Sequence, residues 1–144
     1  MKIVFDTNIF VSALVRPGGR AEQALGRVID GRDTLLLSKA ILLETLSVLS
    51  RKFGRDKEEL ARVAVFLSDM AQLVAPKRKV RIFDDDPDNR ILECAIEGKA
   101  DVLVTGDQTM LSLGQYEGLR ISSLSDYLAE SERGMKNSRD KRKP

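Results

Sequence analysis

Met1-Lys-Ile-Val-Phe-Asp6 is a short, almost continuous apolar run that ends in an acid. Such a run suits a strand buried on both faces of a sheet, and the rest of the chain is read outward from it. Helical spacing follows from Thr7 to Leu14, Arg16-Pro-Gly-Gly-Arg20 predicts a turn, and helix resumes from Ala21 to Ile29 until Asp30-Gly31 stops it. Thr34-Leu-Leu-Leu-Ser38 predicts a second strand. With Ser38 as N-cap, Leu42, Leu46, Leu49 and Phe53 mark one face of a helix that Gly54 ends. A helix is expected from Lys57 to Met70, then a short third strand at Gln72-Leu-Val-Ala75 and a basic, irregular stretch from Pro76 to Phe83. Asp86-Pro87 reads as a helix start, with the acid as N-cap and proline at the first helical position, and Gly98 as the stop. Ala100 to Thr105 predicts strand four, Gly106-Asp107 opens a short helix closed by Gly114, Leu119 to Ser122 predicts strand five, and Ser123 to Ser131 a last helix.

Strands separated by helical segments pair in parallel through right-handed crossovers. The expected fold is therefore α/β, a three-layer α/β/α sandwich around a central parallel sheet of four to five strands. At 144 residues and 42% hydrophobic, the chain suits one core rather than two. One domain is expected over residues 1–132, followed by a basic, flexible C-terminal tail over 133–144. That tail holds six Lys/Arg against one acid, a local +5 that leaves the remainder of this +2 chain at −3. It can attract phosphate without a fold of its own, or simply solubilise the end of the chain.

Composition excludes several chemistries. With no histidine, Ser-His and Cys-His nucleophile systems and imidazole metal sites are ruled out. Without tryptophan, and with 5% aromatics, the chain lacks the stacking platforms of single-strand-binding folds. The single cysteine, Cys94, sits among Leu92, Ala95 and Ile96 and reads as core in a reducing compartment. The longest apolar runs fall far below the ~20 residues of a membrane span, so a cytoplasmic protein without membrane contact is expected.

In parallel sheets ligands sit outside the carboxyl ends of the strands. Asp6 closes strand one and Asp107 lies just past strand four, so both stand at that edge. Asp88 is near the start of a helix that runs antiparallel to the strand it feeds, which puts that start at the same edge. Glu44 is about six residues into the helix leaving strand two, roughly 9 Å from its top at 1.5 Å per residue, within side-chain reach of the rim. Each acid also has a plainer account: Asp107 as a helix cap, Asp88 as a complement to a helix dipole, Glu44 as an ordinary surface acid. Asp6, ending a buried strand, has the least to do structurally. Converging on one rim, four carboxylates repel and raise one another's pKa unless a divalent cation neutralises them. All-oxygen ligands favour Mg²⁺ or Mn²⁺, one ion or two, and a magnesium site takes further oxygens from substrate phosphate. The chemistry implied is phosphodiester hydrolysis.

Ile3-Val-Phe-Asp-Thr-Asn-Ile-Phe10, Glu44 within Ile41-Leu-Leu-Glu-Thr-Leu46, Asp86-Pro-Asp-Asn89 and Val104-Thr-Gly-Asp107 resemble, in order and spacing, the signature of the PIN-domain family. More closely, residues 1 to about 128 look like the VapC-like toxins of prokaryotic toxin–antitoxin systems. The resemblance implies a metal-dependent endoribonuclease with Asp6, Glu44, Asp88 and Asp107 as the matching acids and metal ligands, and Asn8 and Thr105 as supports. It also implies a homodimer held inactive by a cognate antitoxin. The choice of Asp88 over Asp85 or Asp86 rests on the family pattern alone. For RNA contacts, Arg16, Arg20, Lys39 and Arg51 are candidates, each with ordinary surface charge as its plainer account.

Two other classes compete. A small-molecule phosphohydrolase of the haloacid-dehalogenase type wants a second aspartate two positions after the first, where this chain has Asn8. A PIN-like fold that only binds RNA or protein is the non-enzymatic rival, since fold alone does not grant activity. No phosphate-binding glycine loop occurs.

Overall fold

The computed structural model describes residues 1–140, with side chains through residue 132. It contains β1 (Lys2–Phe5), α1 (Thr7–Val15), α2 (Arg20–Ile29), β2 (Thr34–Ser38), α3 (Lys39–Phe53), α4 (Lys57–Met70) and β3 (Gln72–Val74). These are followed by α5 (Asp86–Glu97), β4 (Val102–Val104), α6 (Gln108–Leu113), β5 (Gln115–Tyr116), β6 (Leu119–Ser122) and α7 (Leu124–Asp140). The strands form one sheet in the order β3-β2-β1-β4-β6-β5, parallel throughout except for the β5–β6 pair. Helices flank it, as the α/β sandwich reading expects.

The central strands are apolar because both their faces are covered: Ile3, Val4, Phe5, Leu37, Leu103 and Val104 are all fully buried. Phe5 stacks edge-on against Phe10 and Tyr127, at ring separations of 5.6 and 6.2 Å, which ties β1 to α1 and α7. Cys94 is buried in the same core, and burial pushes its thiol up to about 12.

Four expectations need correction. The sheet has six strands rather than four or five, because β5 and β6 form an antiparallel hairpin at one edge. Its two-residue turn has φ of +47° at Glu117 and +85° at Gly118, the left-handed pair such hairpins need. Two-residue β5 is too short to show alternation. Helix α5 begins one residue early, with Asp85 rather than Asp86 as N-cap and no side-chain capping bond. The buried face of α3 is Ile41, Thr45, Val48 and Leu49, while Phe53 is exposed. Leucines at 42, 43, 46 and 49 fit more than one helical stripe, and packing against α1, α4, α5 and β2 selects this one. Finally, α7 runs to Asp140, past the expected end at Ser131. Of the basic tail expected over 133–144, residues 141–144 and the side chains from 133 onward lie outside the described residues. No described helix is long and apolar enough to cross a membrane.

The edge opposite the carboxyl ends is closed by a buried polar knot. Asp33, 6% exposed, accepts hydrogen bonds from the Tyr127 hydroxyl, from Arg27 Nε at 3.0 Å and from the Met1 ammonium at 3.2 Å. Burial pushes the Asp33 carboxyl up, but the donors from Tyr127, Arg27 and the ammonium outweigh it and hold the group below its ordinary value. Removing one partner strands the others in a dry setting, which costs more than the pairs themselves contribute. Asp33→Ala is therefore expected to lower unfolding free energy by about 3 kcal/mol, and Tyr127→Phe by about 1 kcal/mol. Urea titration checks this; an Asp33→Ala midpoint equal to that of the unsubstituted protein would show the knot to be dispensable.

Candidate active site

Every parallel strand ends at one edge, and there the backbone itself sets the first two acids. In the β1–β4 pair Phe5 lies opposite Val104, and the Asp6 N–H donates to the Val104 carbonyl at 3.0 Å. Asp6 thus stands beside Thr105, and the Thr105 hydroxyl donates to Asp6 Oδ2 at 2.7 Å. The same hydroxyl oxygen accepts the Asp107 N–H at 3.0 Å, so one fully buried threonine joins the two acids. Asp107 Oδ1 also caps α6 by accepting the Thr109 N–H at 2.7 Å. The local reading as a cap is therefore correct, and it uses only one carboxylate oxygen.

Asp88 comes from the first turn of α5 and is 7% exposed, the only buried acid of the Asp84-Asp85-Asp86-Pro87-Asp88 run. The Asp86 side chain is exposed, and its Oδ1 pairs with Arg90 at 3.4 Å. Burial first, then repulsion from Asp107, Asp85 and Asp6, pushes the Asp88 carboxyl up to about 7. Burial raises Asp6 as well, against the opposing hydrogen bonds from Thr105 and Asn8, and Asp107 adds repulsion. Three aspartates from three separate elements therefore share one field.

Glu44 reaches the same rim from the flank. Three residues from Ile41 and four from Val48, it borders the buried face of α3 rather than opposing it. It lines a cavity of about 140 Å³ with Thr7, Asp86, Pro87 and Arg90, and its Oε1 lies 3.7 Å from Arg51. It does not enter the electrostatic field of Asp88. Asn8 meets Asp6 through its backbone N–H, 3.4 Å from Oδ1, and lines a neighbouring groove with Arg16. Arg20 donates to Ser125 at the start of α7, and Lys39 opens α3 on the β3 side of the rim.

Among the described residues no three acids stand close enough to close a cage round a cation. The arrangement is open: mutually repelling carboxylates, two of them buried, with neither histidine nor cysteine to add a softer ligand. Mg²⁺ and Mn²⁺ accept such a donor set, keeping waters and borrowing phosphate oxygens, so the residues fit a hard divalent cation.

Sequence reading missed the polar scaffold behind the acids. Asn89 Oδ1 accepts the Ile82 and Phe83 N–H groups at 3.0 and 2.9 Å, and its Nδ2 donates to the Phe83 carbonyl. Glu93, 5% exposed, accepts the Val80 N–H at 2.8 Å and pairs with Arg90 at 2.9 Å. Together they fasten the segment before α5 to that helix. The available signal was Glu93 on the apolar side of α5, where a charge needs a partner.

The family model of the PIN domain matches residues 2–109. An uncharacterized protein of Methanocaldococcus jannaschii is 29% identical over 117 residues, 78% of this chain and 75% of that one. Among solved structures, VapBC2 from Rickettsia felis, bound to a DNA fragment from its promoter, aligns with a TM-score of 0.61 at 20% identity. That match covers 85% of this chain and 98% of the other. VapC20 from Mycobacterium tuberculosis, a toxin that cleaves the sarcin-ricin loop, aligns at 0.56 and 17% identity over 82% of this chain and 98% of its own. VapBC-1 from nontypeable Haemophilus influenzae aligns at 0.55 and 18% identity, covering 87% and 99%.

Because Asp88 holds a proton up to about pH 7 when folded, and only to its ordinary value near 3.8 when unfolded, the folded state binds the extra proton between those limits. Stability from this group is present below that window and is lost as pH rises through it. Metal-free Asp88→Asn is therefore expected to melt at least about 3 °C above the unsubstituted chain at pH 8 and close to it at pH 4. Mn²⁺ should raise the melting temperature of the unsubstituted chain more at pH 8 than at pH 5. Differential scanning calorimetry reads both; a difference independent of pH would remove Asp88 from the shared field.

Proposed function

The chain belongs to the PIN-domain family, and from that premise we propose that it is a metal-dependent endoribonuclease hydrolysing RNA phosphodiester bonds. The observation that carries this reading is the burial of Asp6 and Asp88, each of them repelled by Asp107. Proteins do not assemble such charge without compensation, and a divalent cation compensates it at neutral pH. Asp6, Asp88 and Asp107 would hold the ion or ions, and Glu44 would complete the set from its flank. Mg²⁺ or Mn²⁺, as one ion or two, supplies when bound the positive charge that polarises a phosphodiester and makes water nucleophilic at neutral pH.

The chain's own residues do the rest. Thr105 fixes the Asp6 carboxylate by donating to Oδ2 and draws the Asp107 backbone against it, so neither acid needs to reorganise when substrate arrives. Asn8 holds the other Asp6 oxygen through its N–H. Glu44, across the Thr7 cavity, would accept a proton or orient a water. Asp86, tied to Arg90, stays out of the reaction.

The finer reading is the toxin of a toxin–antitoxin pair, acting as a homodimer and silenced by a cognate antitoxin, and the likeness to VapC and VapBC structures supports it. Purified protein is expected to cut single-stranded or structured RNA with Mg²⁺ or Mn²⁺ and to stop on addition of EDTA. Asp6→Asn should lose about 100-fold or more in rate, and Thr105→Val about 10- to 100-fold, as removal of a group supporting a metal ligand does. Gel assays on a broad RNA pool measure both. RNA left intact with either metal would favour a binding module, and hydrolysis of p-nitrophenyl phosphate in place of RNA would favour a phosphohydrolase.

A further inference from the structure

Beside the acids, on the β3 side of the same edge, lies a groove of about 310 Å³. One wall is Ser38 and Lys39, where β2 gives way to α3; the other is the segment Pro76 to Lys79 that follows β3. Arg90 and Glu93 of α5 form its end. Its charge is lopsided. Glu93 is consumed by Arg90 and by the Val80 N–H, and Arg78 is paired with Glu117 at 2.8 Å. The ammonium groups of Lys39, Lys77 and Lys79 have no acidic partner among the described residues. Three lysines without an ion pair line one groove on a body whose residues 1–132 carry −3 in all.

Lys77 and Lys79 are also held in place. Their segment has neither helix nor strand, yet Lys77 N–H donates to Glu97 at 3.2 Å, Val80 N–H to Glu93, and Ile82 and Phe83 N–H to Asn89. Val80 is 3% exposed, a plug that turns its neighbours Lys79 and Arg81 outward. A loop pinned at four points presents its charges without the ordering cost a free loop would meet on binding.

The groove runs into the Glu44 cavity, with which it shares Ala40 and Arg90. Among the described residues, the buried side-chain polar atoms without a hydrogen-bond partner are Thr7 Oγ1 and Arg90 Nε, and both residues line that cavity. Thr7 is 7% exposed and directly follows Asp6. Two orphaned groups on residues lining one cavity are costly where they stand, and a ligand seated there would offer them partners.

We propose that this groove and junction form a phosphate-binding track for RNA: Lys39, Lys77 and Lys79 seat the backbone, and Thr7 and Arg90 take the phosphate next to the cut. The proposal rests on the nuclease reading and adds the path and side from which substrate reaches the acids. An acidic peptide would also suit the lysines; RNA is the occupant favoured because the groove leads to Thr7, next to Asp6, where the nuclease reading puts the phosphate to be cut.

The test is fluorescence anisotropy of the full chain with a short labelled single-stranded RNA in EDTA, where cutting is off, across a salt series. Lys77→Ala/Lys79→Ala is expected to weaken binding about tenfold at low salt and to flatten the slope of log affinity against log salt by about 1.4, or about 0.7 per lost phosphate contact. Thr7→Val should weaken RNA binding severalfold while melting no lower than the unsubstituted chain, which a structural role for the hydroxyl would not allow. Lys57→Ala/Arg62→Ala, on α4, should leave affinity and slope unchanged. Unchanged affinity and slope in the Lys77/Lys79 variant overturns the track, as does polyglutamate binding that depends on these lysines while RNA binding does not. Lysine-dependent RNA binding by a chain that never cuts with any metal overturns the nuclease reading and leaves the track standing.

Discussion

The parallel pairing of β1 with β4 is the constraint on which the rest depends. Phe5 opposite Val104 leaves Asp6 and Thr105 side by side, 99 residues apart in sequence and 2.7 Å apart in space. Both strands are buried on both faces, so a slip by one residue would turn every apolar side chain and Asp6 itself to the opposite face. Core packing therefore sets the position of the acids more tightly than any local bond does. Thr105 converts that register into geometry by holding one acid through its hydroxyl hydrogen and the other through its oxygen.

The acids are stationed at an energetic cost. Asp6 and Asp88 are removed from water and both are repelled by Asp107, which is why both carboxyls sit above their ordinary values. The opposite end of the sheet shows the contrast. There Asp33 is equally buried, but three donors converge on it and its carboxyl is held low. One buried aspartate is satisfied by its own protein; the others are left in conflict. That asymmetry, more than the count of acids, separates the edge proposed to be functional from the structural one.

Helix α5 serves both the acidic and the basic sides of the edge. Its first turn supplies Asp88, while Asn89 and Glu93 capture the backbone of the preceding segment and so aim its lysines. Arg90 stands between the two, paired with Asp86 and Glu93. A residue pattern that reads as a helix start is also the fastening of a loop to that helix, and the negative and positive halves of the edge are thereby fixed relative to one another.

The order of the main elements, the parallel sheet, and the placing of Asp6 and Asp107 at its carboxyl edge were legible from sequence, because apolar runs, caps and glycine stops are local and repeat with the period of the element that contains them. The six-stranded edge was not, since a two-residue strand has no period to read. Nor was the setting of Glu44: leucines at 42, 43, 46 and 49 allow several stripes, and only the packing of α3 against three helices and a strand chooses Ile41, Thr45, Val48 and Leu49. Which acid of the run 84–88 is buried, and that Glu93 spends its charge on Val80 and Arg90, are likewise decisions of tertiary structure. Local chemistry states what a residue can do, but burial and partners depend on segments far away in the chain, and those meet only when the core closes.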